Sequence, residues 1–490
     1  MADYKLMKEN GAYVRTMLKK GRYDDVSMTG WGRLDELIGV MALFKVFDIF
    51  AEIKVDVRDD CAIPRWFINN TLALKLVLGE KGINSIQDGM FKDAGVLKIL
   101  GCTARDVREG FDPDRNKEEN KPCNVDSLRY SIEHTKPGQF EEAFRKHRRE
   151  VWKHKSLRTH TYIMDATKMA VYGDYDGAGV MTITEEVLQK DGTIKFKRKK
   201  QKGFKLVTLN RLVEGQIIAE AVRLLPINEH EITVSDDLIN EIIDERGDGA
   251  IKLLLIDRGF LDGTRIKEWR KKGIHVVVPL KKNMHILKDM QGLVKIEGGI
   301  KAERKSLTVW GFKDLEMLDS YDGKLNGLLV TKFKGRAVRQ KYQWGFITTL
   351  PVATAEQVLK AFDKYDDRSL VENKQYRELK QGYFLKHFSG KTAPLINYHI
   401  YFSLIMMNVI SLYKITNMEK YEKLLDKGIR LIRRQYLGPR LQLIVYADNC
   451  YTVLDFLEFM NLLGRPPTGK LDDVRMRFVP KGFPSKYFQW

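Results

Sequence analysis

The chain has 490 residues, with 84 Lys and Arg against 65 Asp and Glu, a formal charge of +19 and 43% hydrophobic residues. That length holds several folding units with sizeable cores, and no run approaches the ~18 uninterrupted apolar residues of a membrane span. The opening MADYKLMKENGAYVRTMLKKGRYDD has no apolar signal core, so a cytoplasmic protein is expected, and the positive excess favours a polyanionic partner, nucleic acid first.

From residue 1 to about 158 the apolar spacing is mostly helical, as in LDELIGVMALFKVFDIF and WFINNTLALKLVLG, with a polar loop over 110–124. This region ends in a basic helix over 144–155 that carries Arg148 and Arg149. The pattern changes at residue 159. Tyr162, Ile163 and Met164 predict a strand that ends on Asp165. A polar stretch, 174–202, follows, with a second basic cluster, KFKRKKQKGFK, containing Arg198 and Lys199. A charge run is more often a solvated face than a binding surface. Residues 203–212 and 215–226 predict two strands joined at Gly215, and SDDLINEIIDERG predicts a helix with Ser235 as its cap and Leu238, Ile239, Ile242 and Ile243 as its buried stripe. Next comes KLLLIDRGFLDG, in which Leu253 to Ile256 form a continuous apolar run, the mark of a strand covered on both faces, with Asp257 at its carboxyl rim. A helix over 264–272 and a strand over 274–280 complete a β-β-β-α-β-α-β order. In open α/β sheets the carboxyl ends of strands collect ligands and catalytic groups. A lone Asp there serves equally as a helix cap or as a partner of Arg258.

Residues 292–343 contain short β-prone runs broken by glycines, expected to form a small β module inserted into the α/β domain, with Trp310 as its core or as a base-stacking platform. YDDRSLVENKQYRELKQGYFLKH, residues 365–387, predicts one long helix. At ~100° per residue its Tyr365, Arg368, Glu372, Tyr376 and Tyr383 share a face. Arg368 and Glu372 also fit an ordinary i, i+4 ion pair. The run NYHIYFSLIMMNVISLY, residues 397–413, is apolar nearly all round and so expected to be buried.

The four cysteines show no C-x-x-C spacing, the nine histidines no H-E-x-x-H pattern, and there is no phosphate-binding G-x-x-x-x-G-K-[ST] loop. A metal would therefore have to be held by carboxylates, which suits Mg²⁺ or Mn²⁺.

Asp165 at one strand end, Asp257 in DRGF and Glu372 in Y-x-x-R-x-x-x-E resemble the DDE transposases of bacterial or archaeal insertion sequences, in the branch with a Y-R-E-K signature. MDATKMAVYG, KGFKLVTL, LLIDRGFLDG, GIHVVVPLKKN, FITTLP and VENKQYRELKQGYFLKH carry the resemblance, in the family's order, over roughly 159–413. One departure is that the signature lysine normally stands seven residues after the glutamate, where this chain has Leu379; Lys380 stands eight after. The resemblance implies an α/β, ribonuclease H-like mixed-sheet core (159–290 and 346–415) interrupted by a mostly β insertion (291–345), between a helical N-terminal DNA-binding region (1–158) and a helical C-terminal region (416–490). It implies that Asp165, Asp257 and Glu372 bind two Mg²⁺ or Mn²⁺ ions and catalyse phosphodiester cleavage and strand transfer in a cut-and-paste reaction. Tyr365, Arg368, Lys380 and Trp310, with Arg148, Arg149, Arg198 and Lys199, become candidate DNA contacts. The implied partners are double-stranded terminal inverted repeats, target DNA and a second copy in a synaptic dimer, at the nucleoid and away from membranes. A nuclease that cuts without joining, and an inactive DNA-binding relative, remain open alternatives.

Overall fold

Tyr162, Ile163 and Met164 do lie in a strand, β1 (Thr161–Ala170), in the computed structural model, which describes residues 8–56, 63–111, 122–188, 194–296, 298–305, 307–316, 321, 323–333, 341–420, 424–437 and 439–464. The chain divides into two compact units: residues 154–377, and residues 1–153 together with 378–490.

In the unit of residues 154–377, β1 is followed by β2 (Gly179–Leu188), β3 (Ile194–Val213) and β4 (Gln216–Pro226). Then come the helix Ser235–Arg246, β5 (Leu253–Ile256), the helix Gly263–Lys271 and β6 (His275–Pro279). After the helix His285–Lys295, β7 (Ile300–Arg304), β8 (Leu307–Leu315), β9 (Leu325–Phe333) and β10 (Lys341–Thr348) lead to the helix Ala355–Asp366. All ten strands form one sheet, ordered β2-β3-β1-β5-β6-β10-β9-β8-β7, with β4 on the second half of β3. The antiparallel meander β1-β3-β4 beside the parallel pair β5 and β6 is the expected ribonuclease H-like core. The turn into β4 is a two-residue hairpin in which Glu214 and Gly215 both have positive φ. Leu254, Ile256, Val276 and Val278 are buried in the core with Ile239, Ile242 and Trp269 from the helices. That accounts for the apolar runs at β5 and β6, since a central strand covered on both faces has no polar side.

Three parts differ from the sequence expectations. Within the polar stretch before residue 203, β2 pairs antiparallel with the first half of β3, which runs 20 residues without a break. Both faces of this pair meet solvent, so no apolar alternation announced it. The residues of the β insertion do not build a module of their own; β10 pairs with β6, Ile347 opposite Val278, and β7 to β10 prolong the central sheet. Glycines there are close-approach positions rather than breaks, because a Cβ at Gly345 would stand 2.7 Å from Leu287 Cδ1 and one at Gly311 would overlap Val358 on the helix Ala355–Asp366. Ser235 is the first helical residue, its hydroxyl donating to the Ile232 carbonyl, and Val234 occupies the cap.

A charged group lies inside this unit. Glu220 on β4 is fully buried between Arg211, at 2.5 Å, and Arg246, at 2.6 Å, and Arg246 also donates to the Tyr162 hydroxyl. Removing the anion from two buried cations typically costs ~3–5 kcal/mol. Glu220→Gln is therefore expected to lower urea stability by about that amount, and a change below about 1 kcal/mol would contradict the account.

The other unit is built round the helix Ala393–Thr416, long and apolar enough to cross a membrane but buried along almost all its length. Phe402 stacks on Phe50 with ring centroids 4.3 Å apart and meets Phe140 edge-on. This unit also holds a four-stranded sheet, Lys8–Glu9, Cys450–Asp455, Pro439–Ala447 and Asp25–Trp31, within N- and C-terminal regions expected to be mainly helical. Its hairpin turns at Asp448 and Asn449, both at positive φ, with Ala447 paired to Cys450. An Asp-Asn pair between two β-prone runs was the legible signal.

Candidate active site

β1 and β5 run parallel, with Thr161 beside Leu253 and the register continuing to Met164 beside Ile256. The next residue on each chain is an aspartate, so Asp165 and Asp257 stand side by side where the parallel pairing stops. Asp257 leaves β5 in extended geometry and starts the turn Arg258–Phe260. Asp165 lies mid-strand, because β1 continues to Ala170 against β3. The strand was expected to end at Asp165; its antiparallel partner carries it five residues further.

The third element is helical but not one regular helix. Ala355–Asp366 is followed by a π-helical segment, Val371–Tyr376, and the winding stays helical only to Gly382, so the expected single helix to residue 387 is interrupted at both ends. π-helical turns are rare and recur at functional sites. Here the wider winding puts Val371, Gln375 and Tyr376 together on the buried face. The Tyr376 hydroxyl donates to the Asp165 main-chain carbonyl at 2.6 Å and lies 2.8 Å from Thr208 Oγ1. Gln375 donates to Asn210 at 2.6 Å, and Asn210 donates to Thr208 Oγ1. This clasp fixes the segment against β1 and β3 directly beneath Asp165.

Arg368 consequently points at all three acids. Its Nη1 is 3.4 Å from Asp165 and 3.7 Å from Asp257, and its Nη2 is 3.5 Å from Glu372. Because one nitrogen touches both aspartates, their contacting oxygens lie within 7.1 Å of each other. The guanidinium stands 5.4 Å from the centre of the Tyr365 ring, which packs on Phe346. Arg368 is half-buried, and among the described residues its Nε has no hydrogen-bond partner. Burial pushes the Asp165 carboxyl up to about 6, against the lowering pull of Arg368 and the Ala166 amide, with Asp257 and Glu372 pushing further upward. Burial likewise raises the Tyr365 hydroxyl to about 12. Among the described residues no three His, Cys, Asp or Glu side chains are drawn tightly enough together to hold an ion as they stand. The three acids instead surround a guanidinium.

A family model described as Transposase DDE domain matches residues 156–409, more than half of the chain. The chain belongs to this family. Among solved structures it is similar to the piggyBac transposase synaptic complex with hairpin DNA, at 11% identity and a TM-score of 0.37, covering 91% of this chain and 86% of that one. No curated protein matches.

The remaining candidate residues of this DDE-domain protein are dispersed. Trp310 lies on β8 between Leu329 and Lys301 and packs half-buried against the core of its own unit. Arg148 is 1% exposed inside the helical unit, which withdraws it from any DNA-facing surface. Its neighbour Arg149 is half-exposed and pairs with Glu142 at 3.3 Å. Arg198 and Lys199 are exposed on β3. Lys380 belongs to the helical unit beside the buried Leu379, and its amine is held below the ordinary lysine value by burial and by Lys386. The clasp residues Thr208, Asn210 and Gln375 were not singled out by the sequence. The sequence grouped Tyr376 with Glu372 on one face, whereas Tyr376 lies on the buried side with Val371 and Gln375 and Glu372 is exposed, and its partner 168 positions away was not legible.

Tyr376→Phe leaves the Asp165 carbonyl and the Thr208 hydroxyl short of a partner in a buried setting, a loss typically of ~1–3 kcal/mol. The variant is expected to unfold at correspondingly lower urea and to lose DNA cleavage more than DNA binding.

Proposed function

We propose that this protein cuts DNA at the ends of a mobile element and joins the freed 3′-OH to target DNA, with Asp165, Asp257 and Glu372 as the ligands of two Mg²⁺ or Mn²⁺ ions. The observation that carries the reading is the convergence of these acids, from two adjacent parallel strands and a clasped helical segment, on one side chain. The donors fit the ions: all are carboxylate oxygens, and hard oxygen donors suit Mg²⁺ and Mn²⁺. When bound, such ions would activate an attacking oxygen and stabilise a leaving one in an in-line displacement at phosphorus.

The rest falls to the protein. β1 and β5 hold two carboxylates rigidly at the rim of a packed sheet, as precise ligand geometry requires. Burial, with Asp257 and Glu372, raises the Asp165 carboxyl to about 6 despite the pull of Arg368, so below that pH a cation bound there would displace its proton. Arg368, with its planar fork, is suited to grip a DNA phosphate once its carboxylates have another counter-ion. Tyr365 lies beneath that guanidinium and keeps its hydroxyl protonated, ready to donate. The partners in this reading are double-stranded inverted repeats, target DNA and a second protomer.

The test is incubation of the purified chain with labelled element-end DNA, Mg²⁺ and a target plasmid. Joined product supports the reading. Cleavage without joining would make the protein a nuclease, and binding without cleavage would make it a DNA-binding relative.

A further inference from the structure

β1 and β3 last pair at Ala170 and Gly203, and β4 joins β3 only from Phe204 onward. Beyond that line, apart from the Val171 amide on the Lys202 carbonyl, β3 continues backwards paired among the described residues with β2, from Gly179 opposite Gly203 to Leu188 opposite Ile194. The result is a two-stranded ribbon leaving the edge of the sheet. Its root is a pair of glycines that admit no side chain. A Cβ at Gly203 would overlap the Met169 carbonyl, and one at Gly179 would overlap Asn228. The ribbon is thus seated closely against the body where it departs.

Its composition is one-sided. The β3 arm carries Lys195, Lys197, Arg198, Lys199, Lys200 and Lys202, of which Lys202 pairs with Asp174 at 2.8 Å, while the β2 sequence holds two acidic residues, Glu185 and Glu186. Strand alternation puts Lys195, Lys197 and Lys199 on one face and Phe196, Arg198 and Lys200 on the other. Residues 195–200 are all exposed, and Phe196 is 65% exposed. Thr184 and Thr182 stand opposite Arg198 and Lys200 and are exposed as well. A short hairpin with two solvated faces buries little apolar surface to hold itself together. Cations on both faces fit an occupant that presents negative charge on both sides of the ribbon, as the two phosphate backbones flanking a DNA groove do. The major groove, ~12 Å wide, admits a two-stranded ribbon.

We propose that this ribbon grips duplex DNA, independently of sequence, at a distance from the reacting phosphate. The inference rests on the reading of the carboxylate site as a DNA-cleaving centre. Along β1, five residues separate Asp165 from the root, or about 17 Å, and nine further pairs extend the ribbon by about 30 Å at ~3.4 Å per residue. At 3.4 Å per base pair the grip falls roughly 5 to 14 base pairs from the scissile position. The DNA there is either the interior of the element or the sequence flanking it, and both offer the same phosphates.

The test compares the full chain with a variant carrying Lys195→Gln, Arg198→Gln, Lys199→Gln and Lys200→Gln. End-DNA affinity is measured with Ca²⁺ from about 50 to about 300 mM salt. Hydroxyl-radical footprints are taken on duplexes lengthened on the element side or on the flanking side. Each lost phosphate contact lowers the slope of log affinity against log salt by ~0.9, so a decrease of about 3 to 4 is expected. Protection roughly 5 to 14 base pairs from the cut should vanish from one of the two duplexes, which identifies the DNA held. An unchanged slope, or a footprint that keeps its distal protection, overturns the ribbon's role and points to an acidic protein as its partner. Should the fourfold variant fail to fold, Arg198→Gln alone is expected to lower the slope by about 1. A wild-type chain that neither binds nor cuts end DNA defeats the functional reading itself; a cutting wild type with an unaltered variant slope defeats only the ribbon.

Discussion

Asp257→Asn is expected to abolish strand cleavage while leaving the binding of end DNA in Ca²⁺ within about twofold. The substitution keeps the shape of the side chain and removes its charge. Asp257 is well placed for such a test, because it sits just past the last residue of β5 and its side chain is about one-third exposed, with Arg368 at 3.7 Å. Little of the fold depends on it. A ligand that touches the ion directly should matter more than the outer-shell partners of metal ligands, whose loss costs ~10–100-fold. The expected fall is therefore beyond about 100-fold, read as single-turnover cleavage of labelled end DNA. Retained cleavage would remove Asp257 from the metal site. Loss of binding along with cleavage would show that the residue holds the structure rather than the ion.

Arg368→Gln should separate two properties that fall together in an ordinary structural lesion. The guanidinium stands 3.4 to 3.7 Å from all three acids, in the space between the groups that would hold divalent ions. Without metal it neutralises them, and removing it should lower the melting temperature of the metal-free protein, since Asp165 then lies buried with no cation. With metal it is a like charge. A unit charge ~4 Å away is worth between ~1 kcal/mol in water and ~4 kcal/mol at an effective dielectric near 20, so Mn²⁺ affinity by calorimetry is expected to rise by about tenfold or more. Cleavage should nevertheless fall, because the fork that would hold the DNA phosphate is gone. Arg368→Lys keeps the charge without the fork and should show near wild-type metal affinity with reduced cleavage. Unchanged or weaker Mn²⁺ binding by Arg368→Gln would mean that the guanidinium does not compete with the ions.

The central strands were legible because burial writes itself into composition. Leu253 to Ile256 are all buried, so their run is uninterrupted, and the aspartate that breaks it marks the strand's rim. The stripe Leu238, Ile239 and Ile242 was legible for the same reason, being the one side of its helix that meets the sheet. The ribbon was missed because neither of its faces is buried, so its residues alternate in nothing that hydrophobicity records. The extension of the sheet by β7 to β10 was missed for a different reason. The glycines that read as interruptions lie under helices from distant parts of the chain, and only the packing explains them.

The sequence by itself determined that Asp257 stands at the rim of a buried strand, that the candidate acids come from elements far apart in the chain, and that the chain carries a large positive excess. These are local or compositional properties, recorded wherever burial or charge acts on a single element. Only the tertiary structure decided that Arg368 lies among the three carboxylates, that Tyr376 and Gln375 fasten their π-helical segment beneath Asp165, and that Arg148 faces inward. Each of these depends on pairing registers and helix winding between residues up to some two hundred positions apart, and no single stretch of the chain contains them.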